Sequence, residues 1–218
     1  LFAAAKVNTV LTPVQQTLKA KLPDGSLVWL NGDSQISFKT NFNDNKERVV
    51  HLQGEAYFEV AKNPDKPFKV VSASQTVQVL GTHFNIKAFR SKTFTSLLEG
   101  SVALSANASP QGNSKPLILK PGQQAIAVSS TNYQIAKFDV EKILDWKYGD
   151  FIFKEDSLGE ITAKLSEWYA VTFSFADEAL VKQTFSGRLS RSNTLAEALL
   201  ILEKSCVVKF DKVGKSNY

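Results

Sequence analysis

Apolar and polar residues alternate over most of the first 140 positions. Within Glu55–Val60, for example, Ala56, Phe58 and Val60 fall on one face of an extended chain, and Glu55, Tyr57 and Glu59 on the other. Further short runs rich in β-branched and aromatic residues follow the same plan: Leu27–Leu30, Arg48–Leu52, Phe68–Val71, Thr76–Leu80, His83–Phe89, Thr95–Leu98, Ser101–Leu104, Leu117–Leu119, Gln124–Val128 and Tyr133–Phe138. Turn chemistry separates them, as in Leu22-Pro23-Asp24-Gly25-Ser26 and Asn31-Gly32. Helical periodicity is absent. The pattern predicts an all-β domain over residues 19–140, of sandwich or jelly-roll type, with an irregular β-solenoid as the alternative. Gly25, Gly54, Gly81, Gly100 and Gly122 recur at unequal intervals and read as turns or bulges that re-aim strands. Residues 1–18 read as a stub outside this domain, and Ser105–Lys115 as a flexible excursion between strands.

After Val140 the period changes. Residues 141–148 read as a helical connector and Phe151–Phe153 as a strand. Ser157–Tyr169 is an amphipathic helix, with Leu158, Ile161, Leu165 and Trp168 on one stripe. Ser157 and Glu160 form a capping box, which satisfies amide groups left bare at a helix start. Val171–Phe175 and Thr184–Gly187 read as strands, Thr194–Lys204 as a second helix capped by Thr194 and Glu197, and Val207–Phe210 as a last strand. A shift of 37 positions carries Ser157 to Thr194, Glu160 to Glu197, Leu165 to Leu202, Val171 to Val208 and Phe173 to Phe210. Residues 149–218 are therefore expected to form a small α+β domain of two repeated β-α-β units, with helices on one sheet face.

Composition narrows the chemistry. The 218 residues include two His, one Cys and no Met, which excludes a Cys-rich zinc site and an internal disulfide framework. A first residue other than Met reads as a processed product or an excised piece. Net charge is +5, with +6 in residues 1–144 and −1 in 145–218, but the cations are scattered singly and no nucleic-acid motif accompanies them. No stretch approaches the roughly 18–20 apolar residues of a membrane span. The start, Leu1–Ala5, is apolar but too short to cross. His51 and His83 are expected as ordinary strand histidines, and Cys206 as a buried small side chain. Glu55 and Glu59 share a strand face about 13–14 Å apart, beyond the spacing of glycosidase pairs, and read as a solvated face. Neither Leu80-Gly81-Thr82 nor Phe185-Ser186-Gly187 has the surroundings of a phosphate loop or a nucleophile elbow. No catalytic residue, cofactor site or metal site is expected. The candidates for partner contact are Arg188 and Arg191, as exposed cations after a strand, together with Trp168 and Tyr169 at a helix end. Trp168 also lies on the apolar stripe, where it would staple helix to sheet. An exposed edge strand in the small domain could accept a partner strand.

Six ordered segments resemble the FecR family in its Bacteroidetes-type form. They are Leu22-Pro-Asp-Gly-Ser-Leu-Val-Trp-Leu-Asn31, His51-Leu-Gln-Gly-Glu-Ala-Tyr-Phe-Glu-Val60, Pro67-Phe-Lys-Val70, Val79-Leu-Gly-Thr-His-Phe-Asn-Ile86, Leu98-Glu-Gly-Ser-Val102 and Leu119-Lys-Pro-Gly-Gln-Gln124. Trp146-Lys-Tyr-Gly-Asp-Phe-Ile-Phe153 and Leu165-Ser-Glu-Trp-Tyr169 resemble the family's C-terminal domain, itself similar to the secretin and TonB short N-terminal domain. Two positions depart from the usual pattern, Asn31-Gly32-Asp33 and Phe38-Lys39. The resemblance implies a non-enzymatic anti-sigma regulator anchored in the inner membrane. The present chain would be its periplasmic part, with residues 1–18 next to the membrane. Its implied partners are the signalling domain of a TonB-dependent outer-membrane receptor and, through a cytoplasmic segment beyond this sequence, an extracytoplasmic-function sigma factor. Nucleic acid is not among them, and the membrane would be met only through an upstream span. The competing expectation is a periplasmic carbohydrate-binding or carbohydrate-active β domain.

Overall fold

The computed structural model describes residues 6–42, 44–89, 92–107, 115–127, 132–205, 208–214 and 216–218. Cys206, Leu1–Ala5 and most of the excursion before Lys115 lie outside the described residues. The chain forms two compact units, the first ending at Ile143 and the second being Leu144–Tyr218.

The first unit contains β1 (Val7–Thr12), β2 (Leu18–Lys21), β3 (Leu27–Leu30), β4 (Ser34–Lys39), β5 (Arg48–Glu59), β6 (Phe68–Val71), β7 (Gln75–Val79), β8 (His83–Phe89), β9 (Lys92–Glu99), β10 (Val102–Ala106), β11 (Leu117–Leu119), β12 (Gln123–Ala127) and β13 (Tyr133–Lys137). They make one large curled sheet in two halves. One half runs β1-β4-β5-β6-β7-β10-β11, the other β2-β3-β5-β8-β9-β12-β13. Strand β5 belongs to both. Its first part pairs with β4 and β6, and its second part, from Gly54 onward, with β3 and β8. The two runs expected on either side of Gly54 are thus one continuous strand that turns a corner. Gly54 makes the corner possible, because its φ is +89° and a Cβ there would come within 2.8 Å of the Asp33 carbonyl oxygen. All five recurring glycines have positive φ.

The inward faces of the two halves share one core. Phe68 of the first half meets Phe58 of the second with ring centroids 6.2 Å apart, and Phe58 stacks on Phe84 at 5.0 Å. Ile36, Val50, Leu52, Val77 and Val102 join from one side and Val28, Leu30, Ile86, Leu97 and Ala125 from the other. This is sandwich packing. Pairing is antiparallel throughout the described strands of this unit except between β5 and β6, unlike the parallel stacking of a solenoid.

Two parts of the expected map change. The stretch read as a stub contains β1, paired with β4 from Val7↔Lys39 to Thr12↔Ser34. Its Val7 and Leu11 are exposed and it adds little to the core, so no apolar alternation marked it. Glu55, expected on a solvated face, is buried at 5% exposure.

The second unit begins within the connector, which is helical as expected: α1 (Val140–Leu144) runs into a 3-10 turn, Asp145–Tyr148, closed by Gly149 at φ +81°. There follow β14 (Asp150–Ser157), α2 (Leu158–Tyr169), α3 (Glu178–Val181), β15 (Thr184–Ser190) and α4 (Leu195–Ser205). Both capping boxes form. The Ser157 hydroxyl accepts the Glu160 N–H while the Glu160 carboxylate accepts the Ser157 N–H, and Thr194 and Glu197 repeat this reciprocally. Leu165 and Leu202, one repeat apart, are both fully buried, and the equivalent Phe173 and Phe210 meet edge to face at 5.9 Å. The repeat is therefore a packing symmetry as well as a sequence one. The segments 171–175 and 208–210, expected as strands, make no regular ladder. Thr172 bridges to Asn217 in parallel, with Thr172 N–H donating to Ser216 and Tyr218 N–H to Thr172. Among the described residues no helix is long and apolar enough to cross a membrane.

Candidate functional site

The two-stranded sheet of the small unit has two edges, and they are treated differently. β14 and β15 run antiparallel, with Asp150↔Ser190, Phe151↔Leu189, Ile152↔Arg188 and Phe153↔Gly187 in register. Arg191 N–H donates to Gly149 O at 2.9 Å, which sets the phase of the ladder. Phe151 and Phe153 face β15 with their backbone groups, whereas Asp150 and Ile152 turn theirs outward. Side chains cover much of that outer edge. The Asp145 carboxylate accepts the Ile152 N–H at 3.1 Å, Lys164 Nζ reaches Ile152 O at 3.5 Å, and Arg191 Nε donates to Asp150 O at 2.9 Å. Beyond the bulge at Glu155 (φ +53°), the Asp156 carboxylate accepts the Lys154 N–H at 3.0 Å.

The same phase turns the backbone groups of Ser186, Arg188 and Ser190 away from β14. On this side the Ser190 carbonyl is engaged, accepting from Asn193 N–H at 3.2 Å. Among the described residues, no hydrogen bond reaches the N–H or C=O of Ser186 and Arg188, or the N–H of Ser190. Ser186 and Arg188 are exposed.

The four residues singled out from the sequence divide accordingly. Arg191 is not exposed. Its side chain is 9% accessible, and the guanidinium lies between Phe151 and Trp168, 4.2 and 4.5 Å from the ring centroids, with Asp145 at 3.7 Å. Trp168 and Tyr169 are 6% and 8% exposed and belong to the core. The Tyr169 hydroxyl donates to Asn193 O at 2.7 Å. Burial pushes its pKa up, with the nearby Arg191 charge pulling the other way and Glu197 adding to the rise. Three of the four therefore hold the domain together, because the apolar stripe of α2 needs a roof and Arg191 supplies one with a charge that Asp145 neutralises. Arg188 alone is presented to solvent, its side chain 65% exposed and 3.3 Å from Asp150. Tyr148, 70% exposed with Lys147 5.8 Å over its ring, was passed over by sequence reasoning. A large ring in a polar turn was the available signal.

In the β domain, the buried polar groups serve the fold. Glu55 accepts hydrogen bonds from Asn31 Nδ2 and Asn85 Nδ2, each at 2.9 Å, and its own N–H donates to Ser34 Oγ. Asn31, noted as a departure from the family pattern, is thus the partner that allows this carboxylate to be buried. His83 Nδ1 lies 3.1 Å from Glu99, while His51 is exposed on β5.

Fold and site define a mainly β protein with a small C-terminal α+β domain. The family model described as FecR protein matches residues 8–103, and the one described as FecR, C-terminal matches residues 150–218. The chain belongs to the FecR family. Two crystal structures of a candidate anti-sigma factor from Parabacteroides distasonis ATCC 8503, at 1.65 and 2.50 Å, share the fold. The first is 24% identical with a TM-score of 0.76 and 96% of each chain covered. The second is 25% identical with a TM-score of 0.75 and 97% of each covered. No curated protein sequence matches the chain.

Proposed function

We propose that this chain is the periplasmic sensor of a transmembrane anti-sigma factor. It relays a signal from a TonB-dependent outer-membrane receptor to an extracytoplasmic-function sigma factor, by protein–protein binding and without catalysis. The observation that carries this reading is the joint presence, in one chain, of the FecR match and the FecR C-terminal match, each on its own compact unit. The sigma factor is held by a cytoplasmic segment outside this sequence. The state of Glu55 favours this reading over a carbohydrate-active one, because its carboxylate is spent on Asn31 and Asn85 inside the fold.

Isothermal titration of the 218-residue chain with the purified N-terminal signalling domain of the receptor encoded beside it tests the proposal. Saturable one-to-one binding is expected, and its absence with both domains folded overturns the reading. The upstream coding sequence gives an independent check, since an apolar span of about 20 residues is required there.

A further inference from the structure

We infer that the outward edge of β15, from Ser186 to Ser190, is where the small domain takes up an extended strand of its partner by sheet addition. The inference rests on the sensor reading above and names the surface that reading uses. Hydrogen-bond accounting carries it. Buried or edge backbone groups are ordinarily paired, and natural sheets blunt their free edges with charges, bulges or covering chain. In this sheet four outward groups of β14, the Asp150 C=O, the Ile152 N–H and C=O and the Lys154 N–H, are met by Arg191, Asp145, Lys164 and Asp156, whereas among the described residues the N–H and C=O of Ser186 and Arg188 and the N–H of Ser190 on β15 meet none. The contrast lies within one sheet, so it is not a property of short sheets in general. The exposed stretch carries no Pro, and its residues at 186, 187 and 190 are small.

The side chains beside the edge define the occupant. On the solvent face, Arg188 stands at the middle of the open stretch between Ser186 and Ser190. On the core face, Phe185 is half-buried and lies along the strand over Gly187, where a Cβ would meet its ring at 2.5 Å. An added strand therefore lies beside Arg188, 65% exposed and 3.3 Å from Asp150, on one face, and beside the half-buried Phe185, whose ring packs edge-on against Phe153, on the other. The partner is an extended segment with a carboxylate side chain beside Arg188 and an apolar one, on the opposite face, beside Phe185. A second copy of this chain is disfavoured as the occupant, because antiparallel self-pairing centred on the open stretch sets two Arg188 side chains opposite each other.

The test is amide hydrogen exchange read by NMR on the 218-residue chain, with and without the receptor's signalling domain. In the free chain the outward amides of Ser186, Arg188 and Ser190 exchange fast, and on binding they slow at least tenfold. Arg188→Pro removes the central outward donor without touching the bonds of Gly187 and Leu189 to β14, and binding falls at least a hundredfold while the circular-dichroism melt stays within a few degrees. Arg188→Glu keeps the edge and reverses the charge, giving a loss of about tenfold. If the wild-type chain binds but these amides stay unprotected and both variants bind like wild type, the strand-addition surface is wrong and the sensor reading stands. If the wild-type chain does not bind at all, both are overturned. Concentration-dependent protection in the absence of the receptor domain overturns the assignment in favour of a second copy.

Discussion

Asp24 and Arg48 meet at 2.7 Å, Oδ2 to Nη1, with side chains only 6% and 2% exposed. The pair joins the Leu22–Ser26 turn to the start of β5. Arg48 also donates from Nη1 to Ala61 O and from Nε to Lys66 O, both at 2.9 Å, and lies 5.4 Å from the Phe68 ring centroid. Ser26, itself bonded to Asp24, accepts the Ala61 N–H. One guanidinium therefore fastens a turn, a strand start and the loop that leads to β6, which explains why an arginine sits at a position of the alternating run that faces the core.

Breaking that pair leaves a buried cation without its anion. Asp24→Asn is expected to cost about 3–5 kcal/mol of β-domain stability. The double variant Asp24→Leu with Arg48→Met should cost less than the single one. Urea unfolding of all three chains measures both, and equal losses for single and double variants would contradict this account.

Gly54 carries the corner of β5. Gly54→Ala forces a Cβ against the Asp33 carbonyl at a positive φ and is expected to destabilise by about 2–4 kcal/mol. A thermal melt of the variant shows it, whereas Gly122→Ala, with open space around the same atom, should show only the backbone part.

Ala170 ends α2 in the left-handed region at φ +53°. Glycine suits that cap better than alanine. Ala170→Gly should stabilise the small domain by about 0.5–1 kcal/mol, the relief of left-handed strain exceeding the entropy glycine adds to the unfolded chain. An upward shift in the melting temperature is the expected reading.

Glu197 is held below its ordinary value of 4.5 by the Thr194 N–H and then the Thr194 hydroxyl. Because the folded value is the depressed one, the cap's stabilisation is complete above 4.5 and is lost as pH falls through the folded value. The Glu197 carboxyl carbon shift should titrate with a midpoint under 4.5, and Thr194→Val, which removes one of the two donors, should move it back part of the way.

The two arginines near the end of β15 should behave oppositely in stability measurements. Arg188→Ala removes an exposed side chain and is expected to change stability by no more than about 0.5 kcal/mol. Arg191→Ala strips the cation from between Phe151 and Trp168 and unseals Asp150 O, for a loss of about 2–4 kcal/mol. Similar small losses for both would show that Arg191 is not structural.

By itself the sequence determined what short-range periodicity and short-range hydrogen bonding can determine. Alternation placed most strands, the stripe Leu158, Ile161, Leu165 and Trp168 placed α2, and the Ser157–Glu160 and Thr194–Glu197 boxes marked two helix starts, because each signal is complete within a few residues. The 37-residue repeat went further and paired Phe173 with Phe210. What only the tertiary structure decided depends on residues far apart in the chain. Glu55 looks solvent-facing until Asn31 and Asn85 arrive beside it from β3's end and β8, and Arg191 looks exposed until Phe151 and Trp168 close around it. Whether a sheet edge is sealed or open is likewise decided by whichever side chains reach it from elsewhere, as Asp145 and Lys164 reach the backbone of β14 and, among the described residues, none reaches the backbone N–H or C=O of Arg188.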